Sequence, residues 1–362
     1  MGYLRFIRFP GVFTALADIL AGFFILRFAG LSQERLGFLP QMLMASACFY
    51  LAGMAWNDLF DAEEDAKLRP ERPLPSGEVS ATGGYLTGIA LITAGIMLAM
   101  TGGRFSFFTA AALTLCIFAY DSLLKKIPIV GPLCMGACRG LNMLLGMSAH
   151  PALGLSEAGP EVWLPPLILT LYTAAVTVAA SWEDNGVREE VPTMPEEPPT
   201  EIASDVLRSA PPSDPQEGIF QNTLRRKHEL DIVLQQNQLK IHDNAPTAPA
   251  YTPPLAGIRY SLAAVAAAPV LLYFLLPQWP AVIFSLLWLA LFARPGVKAW
   301  RLGETANLRP AVGTALSGIC LLDAGLLAGF SGGFLHNPEE AGACVLTALM
   351  ALPVFILRKY IV

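Results

Sequence analysis

What most constrains this chain is the recurrence of apolar stretches close to the length at which an α-helix crosses a bilayer. The hydrocarbon core needs about 20 residues of helix. Such stretches are predicted at residues 7–28, 38–57, 82–102, 105–122, 129–149, 162–182, 257–276, 279–294, 311–331 and 341–357. Inside hydrocarbon every backbone N–H and C=O must find its partner within the protein, so segments of this length form helices and pack against one another. Composition agrees, with 54% hydrophobic and only 15% charged residues, against roughly 25% charged in a soluble domain. The expected fold class is therefore all-α, a polytopic transmembrane bundle of 9–10 spans. The first stretch has the basic start of a signal peptide but no convincing cleavage site, and more spans follow it.

Lys and Arg fall almost wholly on alternate loops. Arg5, Arg8, Lys67, Lys125, Arg188, Lys298 and Arg358 are among those on one side, against Arg27, Arg35 and Arg104 on the other. Because basic loops stay in the cytoplasm, both termini are predicted cytoplasmic in a multi-pass protein of a bacterial inner membrane. All six cysteines fall within predicted spans, which argues against a disulfide framework and a zinc site. Cys134 and Cys138 share a helix face and read as small packing residues.

At the end of the second span the chain reads WNDLFDAEEDAKLRPERPLPSG, Trp56 to Gly77. On a helix Asn57, Asp61 and Asp65 share one face, with Asp58 a turn from Asp61. Like charges at this spacing repel, and carboxylates at a helix C-terminus gain nothing from its dipole. A compensating positive charge is predicted, and Mg²⁺ suits oxygen donors that it bridges to phosphates. The plain alternative is a solvated acidic helix end. Arg69 and Arg72 in the following Pro-rich loop suit diphosphate oxygens or act as membrane anchors.

Asn57, Asp58, Asp61 and Asp65 spell N-D-x-x-D-x-x-x-D, followed by Arg69-Pro70 and by Arg72-Pro73-Leu74-Pro75-Ser76-Gly77. This resembles the first aspartate-rich motif of the UbiA superfamily of intramembrane prenyltransferases. The resemblance covers about residues 5–190 and, more weakly, the helices after 256. It implies a bundle around a central cavity that opens to the cytosol at the acidic motifs and sideways to lipid. Family members generally have nine spans, so a tenth is a departure. Tyr120 to Lys126 resembles the family's Tyr and Lys segment before the fifth helix. The stretch Ser181 to Glu190 stands where the family has a second acidic motif, but the match is loose: Asp184 is followed four residues later by Arg188.

The resemblance implies Mg²⁺ held by Asn57, Asp58, Asp61, Asp65 and Asp184. Substrate contacts would come from Asn57, Arg69, Arg72, Tyr120, Lys125, Arg139 and Asn142. The catalytic set would be Asp61, Asp65, Asp184 and Lys125. The function it implies is transfer of a prenyl chain from an isoprenyl diphosphate to a lipophilic, aromatic or other, acceptor. The alternative is a catalytically idle relative, a carrier or assembly component for a prenylated or phosphorylated lipid, which the degenerate second motif favours. Membrane lipid is an expected partner and nucleic acid is not.

Ionisable residues inside spans pair or line cavities. Asp18 lies about ten residues into the first span, roughly 15 Å deep at helical rise. Arg139 needs an anion, which could be Asp18, a motif carboxylate or the substrate. Asp323 lies deep in the ninth span, expected toward the far side, with no partner named by the sequence. Residues 191–255 are rich in Pro, Glu, Ser and Thr and are predicted to be a disordered cytoplasmic insert, peripheral to chemistry, between membrane domains 1–190 and 256–362. Within it Asn222 to His242 reads as a helical patch, in the loop or at the membrane surface.

Overall fold

The computed structural model describes residues 2–31, 37–148, 159–190, 255–276, 278–332, 334 and 337–361, and the side chains of 160, 183–190, 273, 305 and 358–361 lie outside the description. One compact unit comprises residues 1–185 and 252–362; a second, 186–251, lies outside the described residues but for the end of one helix. The expectations for the insert, including its helical patch, therefore also lie outside them.

The described elements are helical. They are α1 (Gly2–Phe6), α2 (Val12–Phe28), α3 (Leu39–Phe60), α4 (Ala62–Leu68), α5 (Ala81–Met100), α6 (Arg104–Ala119) and α7 (Val130–Met147). After them come α8 (Leu164–Glu190), α9 (Leu255–Leu275), α10 (Trp279–Leu302), α11 (Thr305–Ser317), α12 (Ile319–Ala328), α13 (Pro338–Leu349) and α14 (Ala351–Ile361). Among the described residues eight helical stretches are long and apolar enough to cross a membrane. The predicted spans 38–57 and 129–149 form α3 and α7, which are 22 and 18 residues long. Both carry the polar residues that build the site below. The ninth predicted span is divided at Gly318 between α11 and α12, and the tenth at Met350 between α13 and α14.

Burial sorts these helices. The stretches Phe9–Phe28 and Ala306–Ala328 are 78% and 89% buried inside the protein, whereas Ala81–Met100 is 22% buried. An apolar helix that is mostly exposed, as α5 is at Leu86, Ile89 and Met97, faces lipid, for which aliphatic side chains cost nothing to expose. The central helix α2 packs against α3, α7, α12 and α13. Glycines set its distance from α7: a Cβ on Gly22 would run into the Met143 carbonyl oxygen, and one on Gly146 into the Ile19 carbonyl oxygen. Small residues at such a crossing let two backbones meet where larger ones would hold them apart. Gly136 does the same for α7 against Thr170 of α8.

Candidate functional site

The acidic segment bends where a continuous column was expected. Helix α3 ends at Phe60, Asp61 takes φ −93° and ψ 1°, and α4 restarts at Ala62. The backbone bonds still run four residues back, from Asp61 N–H to Asn57 O at 3.0 Å and from Asp65 N–H to Asp61 O at 2.8 Å. The break corrects one expectation. Glu63, Glu64 and Asp65 sit in the first turn of α4, where the helix dipole favours carboxylates instead of leaving them unsupported.

Four basic side chains supply the compensating charge. Arg8 Nη2 lies 2.7 Å from Asp58 Oδ1, and Arg69 Nη1 lies 3.7 Å from Asp65 Oδ1. Arg72 pairs closely with Asp65 and lies 3.8 Å from Asp58. Lys125, arriving from beyond α6, donates to Asp61. Burial pushes the Asp65 carboxyl above the ordinary carboxylate range, with Arg72 pulling the other way. Asn57 stands half-buried in the last turn of α3.

Sequence reasoning missed Arg8 as a site residue and counted it only as loop charge. Its backbone is left-handed, φ 45° and ψ 49°, a conformation that costs a non-glycine residue about 1–2 kcal/mol. There its carbonyl accepts from Gly11 N–H at 3.0 Å and its guanidinium reaches Asp58. Asp121 was also passed over. It lies with Tyr120 in a π-helical turn, Tyr120–Leu124, closed by Lys125 N–H to Tyr120 O at 3.0 Å. Such widened turns recur at functional sites, and the D-x-x-x-K spacing was the available signal.

A cavity of about 100 Å³ runs between α2, α3, α6 and α7. Tyr120 and Asp121 line it near the acidic cluster; Ser46, Arg139 and Asn142 line its inner end; Phe49, Met54, Leu113 and Ile117 form apolar walls. Of the three anions open to Arg139, the structure gives Asp18. Arg139 Nη2 donates to Asp18 Oδ1 and to Thr14 O, both at 2.9 Å. Asn142 Nδ2 donates to Asp18 Oδ2 at 2.9 Å and to Ala15 O at 2.8 Å. Each oxygen of one buried carboxylate thus grips one cavity residue. Asp323 is not remote, as its sequence position suggested: α12 packs on α2, and its carboxyl group faces Asp18.

Thus Asp58, Asp61, Asp65, Arg69, Arg72 and Lys125 come together at one end, Tyr120 lies on the cavity between, and Arg139 and Asn142 lie at the other. The side chain of Asp184, in the last turns of α8, is outside the described residues. Carboxylate oxygens beside exchangeable cations are the donor set that Mg²⁺ takes together with phosphate oxygens. Among the described residues no group of three or more His, Cys, Asp or Glu side chains is placed to hold a metal ion by itself. Cys116 and Cys134 bring their sulfurs to 3.4 Å as free thiols.

Residues 16–195 match the profile of the UbiA prenyltransferase family. The chain is 33% identical over 121 residues to a digeranylgeranylglyceryl phosphate synthase of Methanopyrus kandleri, covering 33% of this chain and 43% of that protein. It is 30% identical over 146 residues to one of Thermococcus kodakarensis, covering 40% of this chain and 50% of that protein. The chain spans about half the length of the curated relatives it matches. In fold it is similar to a UbiA homologue from Archaeoglobus fulgidus solved with DMAPP and Mg²⁺, at 13% identity and a TM-score of 0.49, covering 99% of this chain and all of that one.

Proposed function

Since the chain belongs, through residues 16–195, to the UbiA prenyltransferase family, we propose that it transfers a prenyl chain from an isoprenyl diphosphate to a lipophilic acceptor within the bilayer. The observation that carries this reading is the cavity. One end of it is lined by Tyr120 and Asp121, on the turn that carries Lys125 to Asp61 and the carboxylate cluster, and it continues along apolar walls to Arg139 and Asn142. A soluble diphosphate head and a hydrocarbon tail need those two environments side by side.

Mg²⁺, held by Asp58, Asp61 and Asp65 with Asn57 and Asp184, would neutralise the diphosphate as it departs. The remaining work belongs to the chain. Arg8, Arg69, Arg72 and Lys125 are paired with the carboxylates, and guanidinium and ammonium groups so placed can turn to phosphate oxygens through charge-assisted bonds. They hold the leaving group at one end of the cavity and keep it from swinging into the passage. Phe49, Leu113 and Ile117 exclude water from the allylic carbon until the acceptor attacks. Arg139 and Asn142 orient the acceptor's polar group, with Asp18 fixing both. By its basic loops the diphosphate end faces the cytoplasm of a bacterial inner membrane, with both termini on that side.

The relatives are synthases of a prenylated glyceryl phosphate by name, so such lipids join aromatic compounds as acceptors to be assayed. The decisive test uses purified protein in detergent with geranylgeranyl diphosphate. Mg²⁺-dependent thermal stabilisation and prenylated product by mass spectrometry are expected. Stabilisation without product from any acceptor would favour the carrier reading, and neither would remove the transferase reading altogether.

A further inference from the structure

The charge at the inner end of the cavity does not balance. Asp18 and Asp323 are both 0% exposed, and the described cation among them is Arg139, which serves Asp18. Among the described residues neither oxygen of Asp323 meets a hydrogen-bond donor. The polar group it faces is Asp18, across the packing of α2 on α12. Two ionised carboxylates in contact, away from water and with one guanidinium between them, would leave an uncompensated charge in the least polar part of the protein. One proton between them removes that charge and supplies the missing donor. The carboxyl group of Asp323 then donates to an Asp18 oxygen, and Asp18 keeps its two bonds to Arg139 and Asn142.

We propose that Asp323 is a positioning residue for the cavity: it shares one proton with Asp18 and thereby holds the carboxylate that orients Arg139 and Asn142. The chain of contacts runs from α12 to α2 to α7. It ties a helix outside the family-matched residues to the inner end of the site. Asp323 itself is absent from the cavity lining, so it acts through Asp18 and touches no substrate. The inference needs only this geometry. Its failure leaves the transferase reading standing, and failure of that reading leaves the proton in place.

The experiment uses the full chain in detergent at neutral pH. With ¹³C-labelled aspartate, the infrared spectrum of the wild type should show the carbonyl stretch of a protonated carboxylic acid that Asp323→Asn removes and Asp18→Asn shifts. Asp323→Asn should keep a thermal midpoint near wild type, because its amide N–H donates to Asp18 as the acid O–H does and the net charge is unchanged. Asp323→Leu should lower the midpoint by several degrees. It should cost much less in an Arg139→Met background, where Asp18 has no cation left to orient. A spectrum whose protonated-acid bands all survive Asp323→Asn would overturn the shared proton. Equal costs of Asp323→Leu in the two backgrounds would overturn the positioning role. If Asp323→Leu cannot be purified, the labelled spectra and the midpoint of Asp323→Asn still decide, since an ionised Asp323 predicts no band and a large shift for the amide.

Discussion

The two polar clusters, one beyond the Tyr120 end of the cavity and one at its inner end, are built from the same residue types to opposite effect. At the outer end three carboxylates, Asp58, Asp61 and Asp65, meet four cations, and the cation side chains are 14–37% exposed. At the inner end two carboxylates share one described cation, and Asp18 and Asp323 are fully buried. The outer cations and Asp61, at 21% exposed, keep contact with water although Asp58 and Asp65 are 5% and 4% exposed, so these pairs are screened from one side and are less tightly locked than a fully buried pair. Where water does not reach, a broken pair leaves a bare charge in low dielectric, and the arrangement is locked. The outer end can therefore hand its cations to an incoming diphosphate, and the inner end can hold a fixed shape while that happens.

The contrast predicts its largest effect inside. Arg139→Met strands the Asp18 carboxylate and should cost about 3–5 kcal/mol, seen as a large fall of the thermal midpoint in detergent. Adding Asp18→Asn should restore part of it, because the stranded charge is then gone. If the two changes are simply additive, the inner end is no more rigid than the outer and the comparison collapses.

At the outer end the largest effect should fall on ligand binding, with folding spared. Asp61→Asn removes a charge at the proposed metal position and frees Lys125, in a place where water can compensate. Rate should drop by about a hundredfold or more, the scale seen when one charge-stabilising group is lost. Mg²⁺-dependent stabilisation by geranylgeranyl diphosphate should vanish while the midpoint without ligand stays near wild type. A variant that loses its fold along with its binding would show that the outer pairs are structural after all.

These two ends differ also in how far the sequence disclosed them. The outer motif is local: its carboxylates recur every three or four residues on one helix, so a helical period alone brings Asn57, Asp61 and Asp65 together, and only the bend at Asp61 escaped it. Arg8 escaped because it lies 50 residues away in sequence from Asp58 and is held by a left-handed backbone that no residue type advertises. The inner end is entirely non-local. Sequence could say that Asp18, Arg139 and Asp323 each needed a partner, since charges in spans do. It placed Asp323 by counting residues from a span end, whereas the packing of α12 on α2 decides its depth. Asp184 is legible as a chain position near the end of α8, and its side chain lies outside the described residues.

A smaller effect tests what holds the inner end in place. Gly146→Ala would drive a methyl group into the Ile19 carbonyl oxygen, a backbone atom that cannot turn aside. Helices α2 and α7 must then separate, at a cost of about 1–3 kcal/mol typical of overpacking. The change should also stretch the bonds from Arg139 and Asn142 to Asp18. Combined with Arg139→Met it should therefore cost less than the sum of the two. Additive midpoints would mean that the glycine contact and the buried carboxylate are independent features of one interface.

The smallest effect sets the floor of the comparison. Arg5 Nη1 pairs with Glu78 Oε1 at 3.0 Å, and the two side chains are 39% and 42% exposed. This pair lies on the segments that flank the outer cluster, so it resembles the Arg8–Asp58 pair in type and differs in burial: the Asp58 side chain is 5% exposed. An exposed pair is screened by water and salt, so Glu78→Gln should change stability by no more than about 0.2–1 kcal/mol. Asp58→Asn should change it by more and should also weaken Mg²⁺-dependent binding, to which Glu78→Gln is indifferent. The measurement is the pair of thermal midpoints at low and high salt, with and without geranylgeranyl diphosphate. If Glu78→Gln matches Asp58→Asn in both, burial is not what separates structural from exchangeable pairs on this face, and the distinction between the two ends must rest on the number of cations alone.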